Sequence, residues 1–220
     1  MGGFFIERIT HIGCILVKTE PQMQKVLVLF AHPMLEKSRM QSLMLDAITD
    51  LKKVYVHDLY EAYPDFDIDI EYEKELLLSH DVIVFQHPFY WYSAPPIIKQ
   101  WMDLVLEHGW AYGKKGNKLS GKIIFNAIST GGPQQAYEEG GFNRFTINQF
   151  LAPFNQTAVL CKMKYFPPFV IHSIHKSTEE ERIKAAETYK RLLISITQNE
   201  IDIDSLKESS YLNDYIPGNP

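Results

Sequence analysis

Four aromatic residues follow one another in this sequence, as Phe89, Tyr90, Trp91 and Tyr92. They come after the apolar run 82–86, which predicts a buried parallel strand, and just before a helix whose start is marked by two prolines. Ligands of open α/β sheets bind at the carboxyl ends of the strands. A row of aromatic rings at such an end suits a flat ligand. The alternatives are a hydrophobic plug between helix ends or a subunit contact, since Trp and Tyr also favour interfaces.

A second candidate loop spans residues 32–41, after a strand predicted at 25–31. It leads into a helix whose first turn offers free backbone N–H groups and the positive end of a dipole, which together suit an anion. Ser38 can add a hydroxyl, and His32 or Arg39 can add positive charge, toward a phosphate. The alternative is that Ser38 merely caps the helix and Arg39 is solvated. The loop lacks the glycines of a Walker or dinucleotide motif.

The third loop follows a strand predicted at 122–128 and contains the pair Gly131 and Gly132 after Ser129 and Thr130. Paired glycines allow a backbone to approach a ligand closely, and the loop amides could bind ring carbonyls. An ordinary turn is the alternative. Because all three loops are expected at one edge of one sheet, they are stronger evidence together than singly. We interpret them as a flavin site, with the aromatic run against the ring.

The elements that must position these loops alternate regularly along the chain. The predicted strands span 25–31, 54–57, 82–86, 122–128 and 156–160. The predicted helices span 38–51, 71–79, 95–108, 142–154 and 178–196. This alternation predicts an α/β fold, a doubly wound five-stranded parallel sheet with helices on both faces. We divide the chain into a leader of unknown role at 1–24, a single domain at 25–197 and a polar tail at 198–220.

Composition narrows the function further. The net charge of −5 over 220 residues does not suggest a nucleic-acid-binding face. The only cysteines, Cys14 and Cys161, are too few for a disulfide framework and fit a reducing cytoplasm. No apolar run reaches the ~18 residues that a membrane helix needs. His172 and His175 lack the carboxylate or thiol partners of a metal site, so we expect no metal.

Several longer motifs carry a family resemblance. They are KVLVLFAHP at 25–33, LYEAYPDFDIDI at 59–70, QHPFYWYSAPPIIKQWMD at 86–103, HGWAYG at 108–113, STGG at 129–132 and YFPPFVIH at 165–172. Through them the chain resembles the flavodoxin-like NAD(P)H:quinone oxidoreductases over about residues 25–195. Within that family it is most similar to the ancillary oxidoreductase subunits of glutathione-regulated potassium efflux systems (KefF/KefG type).

The resemblance implies a role for each loop. The residues implied for the flavin phosphate and ribityl chain are His32, Ser38, Arg39, Met40 and Gln41. Those implied for the isoalloxazine ring are Phe89, Tyr90, Trp91 and Tyr92, with Ser129, Thr130, Gly131 and Gly132 at its pyrimidine edge. The ancillary subunits imply FMN, whereas the larger animal enzymes bind FAD, and the sequence leaves that choice open. The implied reaction is a two-electron, ping-pong hydride transfer from NADPH or NADH through the flavin to a quinone.

The resemblance implies one catalytic residue, and the sequence departs from the family pattern near it. Tyr137 matches, by its spacing after the glycine pair, a tyrosine that manages negative charge in the animal enzymes. Asn143 stands where those enzymes have a histidine, so the family's proton relay is not complete here.

The resemblance also implies partners and a location. It implies a cytoplasmic homodimer, with a potassium efflux transporter as a further partner at the inner face of the membrane. The alternative function is a mainly regulatory subunit of that efflux system, with incidental redox activity.

Overall fold

The computed structural model describes residues 23–201, 206 and 209–215, so most of the predicted leader lies outside the described residues. The strands are β1 (Val26–Phe30), β2 (Val54–Asp58), β3 (Val82–Pro88), β4 (Ile123–Ser129), β5 (Lys164–Tyr165) and β6 (Phe169–Ile171). The helices are α1 (Arg39–Ile48), α2 (Leu59–Ala62), α3 (Ile70–Ser79), α4 (Pro96–Val105), α5 (Ile147–Phe150), α6 (Ala152–Leu160) and α7 (Glu179–Thr197).

The strands form one parallel sheet in the order β2-β1-β3-β4-β5, and β6 also pairs with β4. β1 and β3 are entirely buried, as their continuous apolar runs predict for strands covered on both faces. The predicted α/β, flavodoxin-like architecture is thereby confirmed. The order reverses between β1 and β3, which is the topological switch point where ligands of such sheets bind.

The fifth strand predicted at 156–160 is wrong. Those residues complete helix α6, in which Pro153 occupies the first turn, where a missing N–H costs nothing. The edge position beside β4 is instead filled by two short strands, because Pro167 and Pro168 interrupt the ladder between them. β5 pairs with the start of β4 and β6 pairs with its end.

The helix predicted at 142–154 is also wrong in its bounds. Residues 142–145 form a loop, and the first helical turn, α5, begins after Thr146. Thr146 and Gln149 form a capping box, in which each side chain binds the other residue's backbone N–H. This cap satisfies the first turn and so sets the point at which the helix starts.

Each face of the sheet packs against its own set of helices. On one face, Leu29 and Phe85 lie in a core shared with Trp101 of α4. On the other, Val28 and Val84 lie in a core shared with α1 and α7. Neighbouring residues of one strand therefore contribute to opposite cores, as the alternation of side chains along a strand requires.

Part of the predicted tail lies along the exposed edge of the sheet. The Asn213 side chain accepts a hydrogen bond from the Val170 N–H (2.8 Å) and donates one to the Val170 carbonyl (2.9 Å). The Leu212 N–H donates to the Pro168 carbonyl (3.0 Å). An amide side chain thus takes the place of a further strand beside β6, which covers backbone groups that would otherwise be free to pair with another chain.

Candidate functional site

Two neighbouring clefts open at the carboxyl ends of β1, β3 and β4. The first has a volume of about 570 Å³ and the second of about 480 Å³. Phe89, Trp91 and Gly131 line both of them, so the clefts share a wall. The three loops singled out in the sequence therefore meet at one place.

The first loop supplies the polar end of the first cleft. Lys37, Ser38 and Arg39 line it beside the start of α1. The Ser38 hydroxyl accepts a hydrogen bond from the Gln41 N–H (3.1 Å), so it caps α1 and also faces the cleft. Two cationic side chains and the positive end of a ten-residue helix make this end suitable for a phosphate.

His32 is buried at the base of this loop. Its Nδ1 accepts a hydrogen bond from the Met34 N–H (3.1 Å), which leaves the proton on Nε2, 3.5 Å from the Tyr90 hydroxyl. Burial lowers the pKa of His32, although Glu36 partly opposes this. His32 is therefore a neutral donor at pH 7 rather than a cation.

The aromatic loop is folded in a strained conformation. Trp91 and Tyr92 have φ values of 48° and 63°, a left-handed region that bulky residues rarely adopt. Phe89 turns inward and packs edge-on against Tyr137, with ring centroids 5.9 Å apart. Trp91 is 93% exposed and stands over both clefts. Such strain is found at ligand-binding sites, where the surrounding structure holds it in place.

The third loop approaches its neighbours too closely for side chains. A Cβ at Gly131 would lie 3.0 Å from the His175 ring, and one at Gly132 would lie 3.3 Å from the Tyr137 ring and hydroxyl. Both glycines are therefore favoured by close approach and not by a positive φ, and the contact at Gly132 is with a buried ring. The Thr130 hydroxyl fixes this turn by donating to the Gly132 carbonyl (2.9 Å).

Tyr137 is buried against the second cleft. Burial raises its pKa, although the Thr130 hydroxyl, the Gly132 amide and the Asn143 side chain oppose the shift. Its hydroxyl is therefore a protonated donor at neutral pH. Asn143 lines the same cleft.

His172 lies beside Tyr137, with ring centroids 5.8 Å apart, and its Nδ1 is 3.1 Å from the Thr130 hydroxyl. Burial lowers the pKa of His172 to about 4, so the ring is neutral at pH 7. A histidine from elsewhere in the chain thus stands close to the tyrosine, although Asn143 occupies the expected position.

The structure does not bring every predicted site residue to the cleft surface. Gln41 is fully buried, and its amide donates to the Ser129 hydroxyl (3.0 Å) and accepts from Gln86 (3.0 Å). Thr130 is likewise buried and acts on the loop backbone. All the remaining predicted residues do line the clefts, namely His32, Ser38, Arg39, Met40, Phe89, Tyr90, Trp91, Tyr92, Ser129, Gly131, Gly132 and Tyr137.

The sequence missed a fourth loop. Ile174 and His175 line the first cleft, and they follow β6. Because the fifth strand was predicted at 156–160, this loop was not expected at the carboxyl edge of the sheet. The interrupted apolar run 165–171 was the available signal. Phe142 was also missed; it is 90% exposed and lines the second cleft.

The described residues offer neither a metal-binding cluster nor a membrane-spanning helix. Among the described residues, no group of three His, Cys, Asp or Glu side chains lies close enough together to hold a metal ion. Within the same part of the chain, no helix has the length and apolar character needed to cross a membrane.

Comparison with known proteins agrees with this geometry. Residues 24–193 match a family model described as having a flavodoxin-like fold. The chain is 43% identical over 174 residues to the glutathione-regulated potassium-efflux system ancillary protein KefG of Yersinia enterocolitica, a match that covers 79% of this chain and 95% of that protein.

Two solved structures are similar over nearly their whole length. General stress protein 14 of Treponema denticola, solved in complex with FMN, is 37% identical with a TM-score of 0.75, covering 78% of this chain and 99% of that one. An NADPH-quinone reductase from P. pentosaceus is 33% identical with a TM-score of 0.70, covering 76% of this chain and 96% of that one.

Proposed function

This chain belongs to the flavodoxin-like fold family whose model it matches over residues 24–193, and we propose that it is an NAD(P)H:quinone oxidoreductase that transfers two electrons through bound FMN. Relatives of this chain include an NADPH-quinone reductase and a protein solved with FMN. The reaction would proceed in two halves at one site, because donor and acceptor would occupy the same cleft in turn.

The proposal rests on the change from a cationic lining at one end of the joined clefts to an aromatic lining at the other. One end has the start of α1 with Lys37 and Arg39, which suits a phosphate. The other end has aromatic walls and no charged side chain among its lining residues. A phosphorylated molecule with a large flat ring matches both ends, whereas a sugar phosphate without such a ring matches only the first.

The residues present fit FMN. Ser38, Lys37 and Arg39 would hold the phosphate, and Phe89 and Trp91 would lie against the ring. The turn at Gly131 and Gly132 comes close to the shared wall, where its backbone can reach polar atoms at the ring edge. When bound, FMN supplies the hydride chemistry, which amino-acid side chains cannot perform.

The protein's own contribution is orientation and a neutral proton donor. The Tyr137 hydroxyl keeps its proton at Oη at neutral pH because burial raises its pKa. It can therefore donate a hydrogen bond to negative charge that develops at the edge of the cleft. Phe89 and Tyr92 form an aromatic wall on one side, since Phe89 is buried and the Tyr92 ring stacks on Phe150 with centroids 5.0 Å apart.

Absorbance spectroscopy of the purified full-length protein tests the proposal. We expect a yellow protein with a flavin absorbance band at about 450 nm. The band should bleach when NADPH or NADH is added and recover when a quinone is added. Titration with each nicotinamide decides the preferred donor. A folded protein that takes up neither FMN nor FAD would disprove the proposal, and uptake of FAD alone would replace FMN in it.

A second role is favoured by the similarity to KefG. We propose that the enzyme works in the cytoplasm as a homodimer and docks on a potassium efflux transporter as an ancillary subunit. Light scattering of the purified protein tests the dimer. Co-purification with the transporter, repeated with an FMN-free variant, tests the docking and shows whether regulation needs the cofactor. A monomer, or a protein that does not co-purify, would contradict the corresponding half of this proposal.

A further inference from the structure

A chain of hydrogen bonds, which we call the relay, runs from helix α7 to the candidate site through four buried side chains. The Tyr189 hydroxyl lies 3.0 Å from Gln86 Oε1, Gln86 Nε2 lies 3.0 Å from Gln41 Oε1, and Gln41 Nε2 lies 3.0 Å from Ser129 Oγ. Tyr189, Gln86 and Gln41 are fully buried, and Ser129 is 2% exposed. α7, β3, α1 and the end of β4 are thereby linked.

Tyr189 determines which group donates and which accepts in each hydrogen bond of the relay. Either amide could be turned over, and turning both would reverse every donor and acceptor. Among the described residues, however, Gln86 is the hydrogen-bonding partner of the Tyr189 hydroxyl. If that hydroxyl accepted, its own proton would be buried without an acceptor, which is unfavourable. Tyr189 therefore donates, and the two glutamine amides are oriented in turn.

The orientation of the two amides determines which hydrogen-bonding role Ser129 has at the cleft. Its oxygen accepts from Gln41, so its one proton is not needed inside the relay. Ser129 lines the first cleft. We infer that the relay presents Ser129 to the bound ligand as a hydrogen-bond donor, with Tyr189 acting as a positioning residue from helix α7, on the same face of the sheet as α1. The ligand atom that meets Ser129 must then be an acceptor, such as a phosphate, ribityl or ring carbonyl oxygen.

The inference rests on the proposed function in taking the ligand to be FMN. Its test is a double-mutant cycle on FMN affinity, measured by flavin fluorescence with the full-length protein. We expect Ser129→Ala to weaken FMN binding about tenfold and Tyr189→Phe to weaken it about threefold to tenfold, the range that one hydrogen bond spans. Tyr189→Phe acts because the amides can then turn over and consume the serine proton.

The double variant separates a positioning role from a merely structural one. Once Ser129 has no hydroxyl, the direction of the relay no longer affects the ligand, so the double variant should bind FMN as Ser129→Ala does. A merely structural effect of Tyr189→Phe would instead weaken FMN binding of the double variant beyond that of Ser129→Ala alone. FMN losses that multiply, or a Tyr189→Phe variant with unchanged affinity, would overturn the inference.

Tyr63→Phe is the matched control. The Tyr63 hydroxyl is also buried and donates to Glu73 (2.6 Å), in a cluster with no bond to Ser129. We expect this variant to bind FMN as the wild type does. A loss equal to that of Tyr189→Phe would show a general effect of buried tyrosines and overturn the relay.

The outcomes also distinguish this inference from the proposed function. A wild-type protein that binds FMN but is not reduced by NADPH or NADH would overturn the enzyme proposal, while the affinity cycle still decides the relay. Reduction with no coupling between Tyr189 and Ser129 would overturn the relay alone. A protein that binds no FMN would overturn both.

Discussion

Gly131 and Gly132 differ in what surrounds their missing side chains. A Cβ at Gly131 would meet the ring of His175, which is exposed and can swing away. A Cβ at Gly132 would meet Tyr137, which is buried and fixed between Phe89 and Phe150. Adjacent positions in the same loop should therefore tolerate substitution differently.

We expect Gly132→Ala to cost about 1 kcal/mol of unfolding free energy, because overpacking displaces Tyr137, and to weaken FMN binding. Gly131→Ala should cost less and leave Tyr137 in place. Urea unfolding and FMN titration of both variants check this. Equal losses at the two positions would contradict the placement of Tyr137 behind Gly132.

Tyr137 itself is testable without changing the packing. Tyr137→Phe removes only the hydroxyl, so FMN should remain bound while its reduction by NADPH slows by about tenfold or more, the scale of one lost donor. Stopped-flow absorbance measures the rate. Tyr165→Phe, which removes another buried hydroxyl, bonded to Asn126 (2.7 Å), is the control. An unchanged reduction rate in Tyr137→Phe would remove Tyr137 from the site.

At the scale of elements, the site depends on how one helix begins. Ser38 caps α1 through the Gln41 N–H, and Arg39 and Met40 of the first turn line the cleft beside it. Asp69 caps α3, a helix of the same length, in the same way through the Tyr72 N–H (3.0 Å). The two caps make a matched pair, because α3 does not line either cleft.

Ser38→Ala and Asp69→Ala should each destabilise the protein by about 1 kcal/mol through the lost cap. Ser38→Ala alone should also weaken FMN binding, since it loosens the turn that faces the phosphate. Thermal unfolding and FMN titration of the two variants separate these effects. If Asp69→Ala weakened FMN binding as much, the polar end of the cleft would be wrongly placed.

The edge strand β6 is a second element with a testable dependence. Asn213 pairs with both backbone groups of Val170. Asn213→Ala should cost about 1–3 kcal/mol through the two lost hydrogen bonds and expose an edge that pairs with other chains. Unfolding and light scattering check this against Asn148→Ala, which loses one longer bond to Ser210 (3.3 Å). Equal effects would show that the edge is protected by other means.

At the scale of the whole molecule, acid stability is governed by buried histidines. Burial lowers the pKa of both His87 and His172 to about 4. In the unfolded chain they titrate near 6.5, so between these values the unfolded state binds more protons than the folded one. The stability that the two neutral rings contribute is complete above pH 6.5 and is lost as the pH falls toward 4.

We expect the unfolding free energy to fall over that interval, with these two rings contributing a slope of up to about 2.7 kcal/mol per pH unit, the value for two protons. His172→Asn should reduce the contribution of these two rings by about half. Urea unfolding at a series of pH values measures the slope. An identical slope in His172→Asn and the wild type would show that His172 is charged in the folded protein.

Much of the architecture could be predicted because it depends on local pattern. The continuous apolar runs at 25–31, 82–86 and 122–128 determined three buried parallel strands, and the residues that follow each run determined three loops at one edge. The doubly wound parallel sheet and the meeting of those loops follow from this order, since parallel strands align their carboxyl ends, whereas the flavodoxin-like family was implied by the motifs. The family that the motifs implied is confirmed by the match over residues 24–193.

Only the tertiary structure decided which side chains face the clefts. Residues 156–160 have the composition of a strand, but packing places them on a helix, and the edge strand passes to 164–171 with its prolines. Gln41 lies in the predicted phosphate loop yet turns inward, because α1 presents it to Ser129 and Gln86. Long-range contacts of this kind leave no periodic pattern in the local sequence, so they could not be predicted from it. The sequence therefore determined where a ligand meets the sheet, and folding decided which atoms meet the ligand.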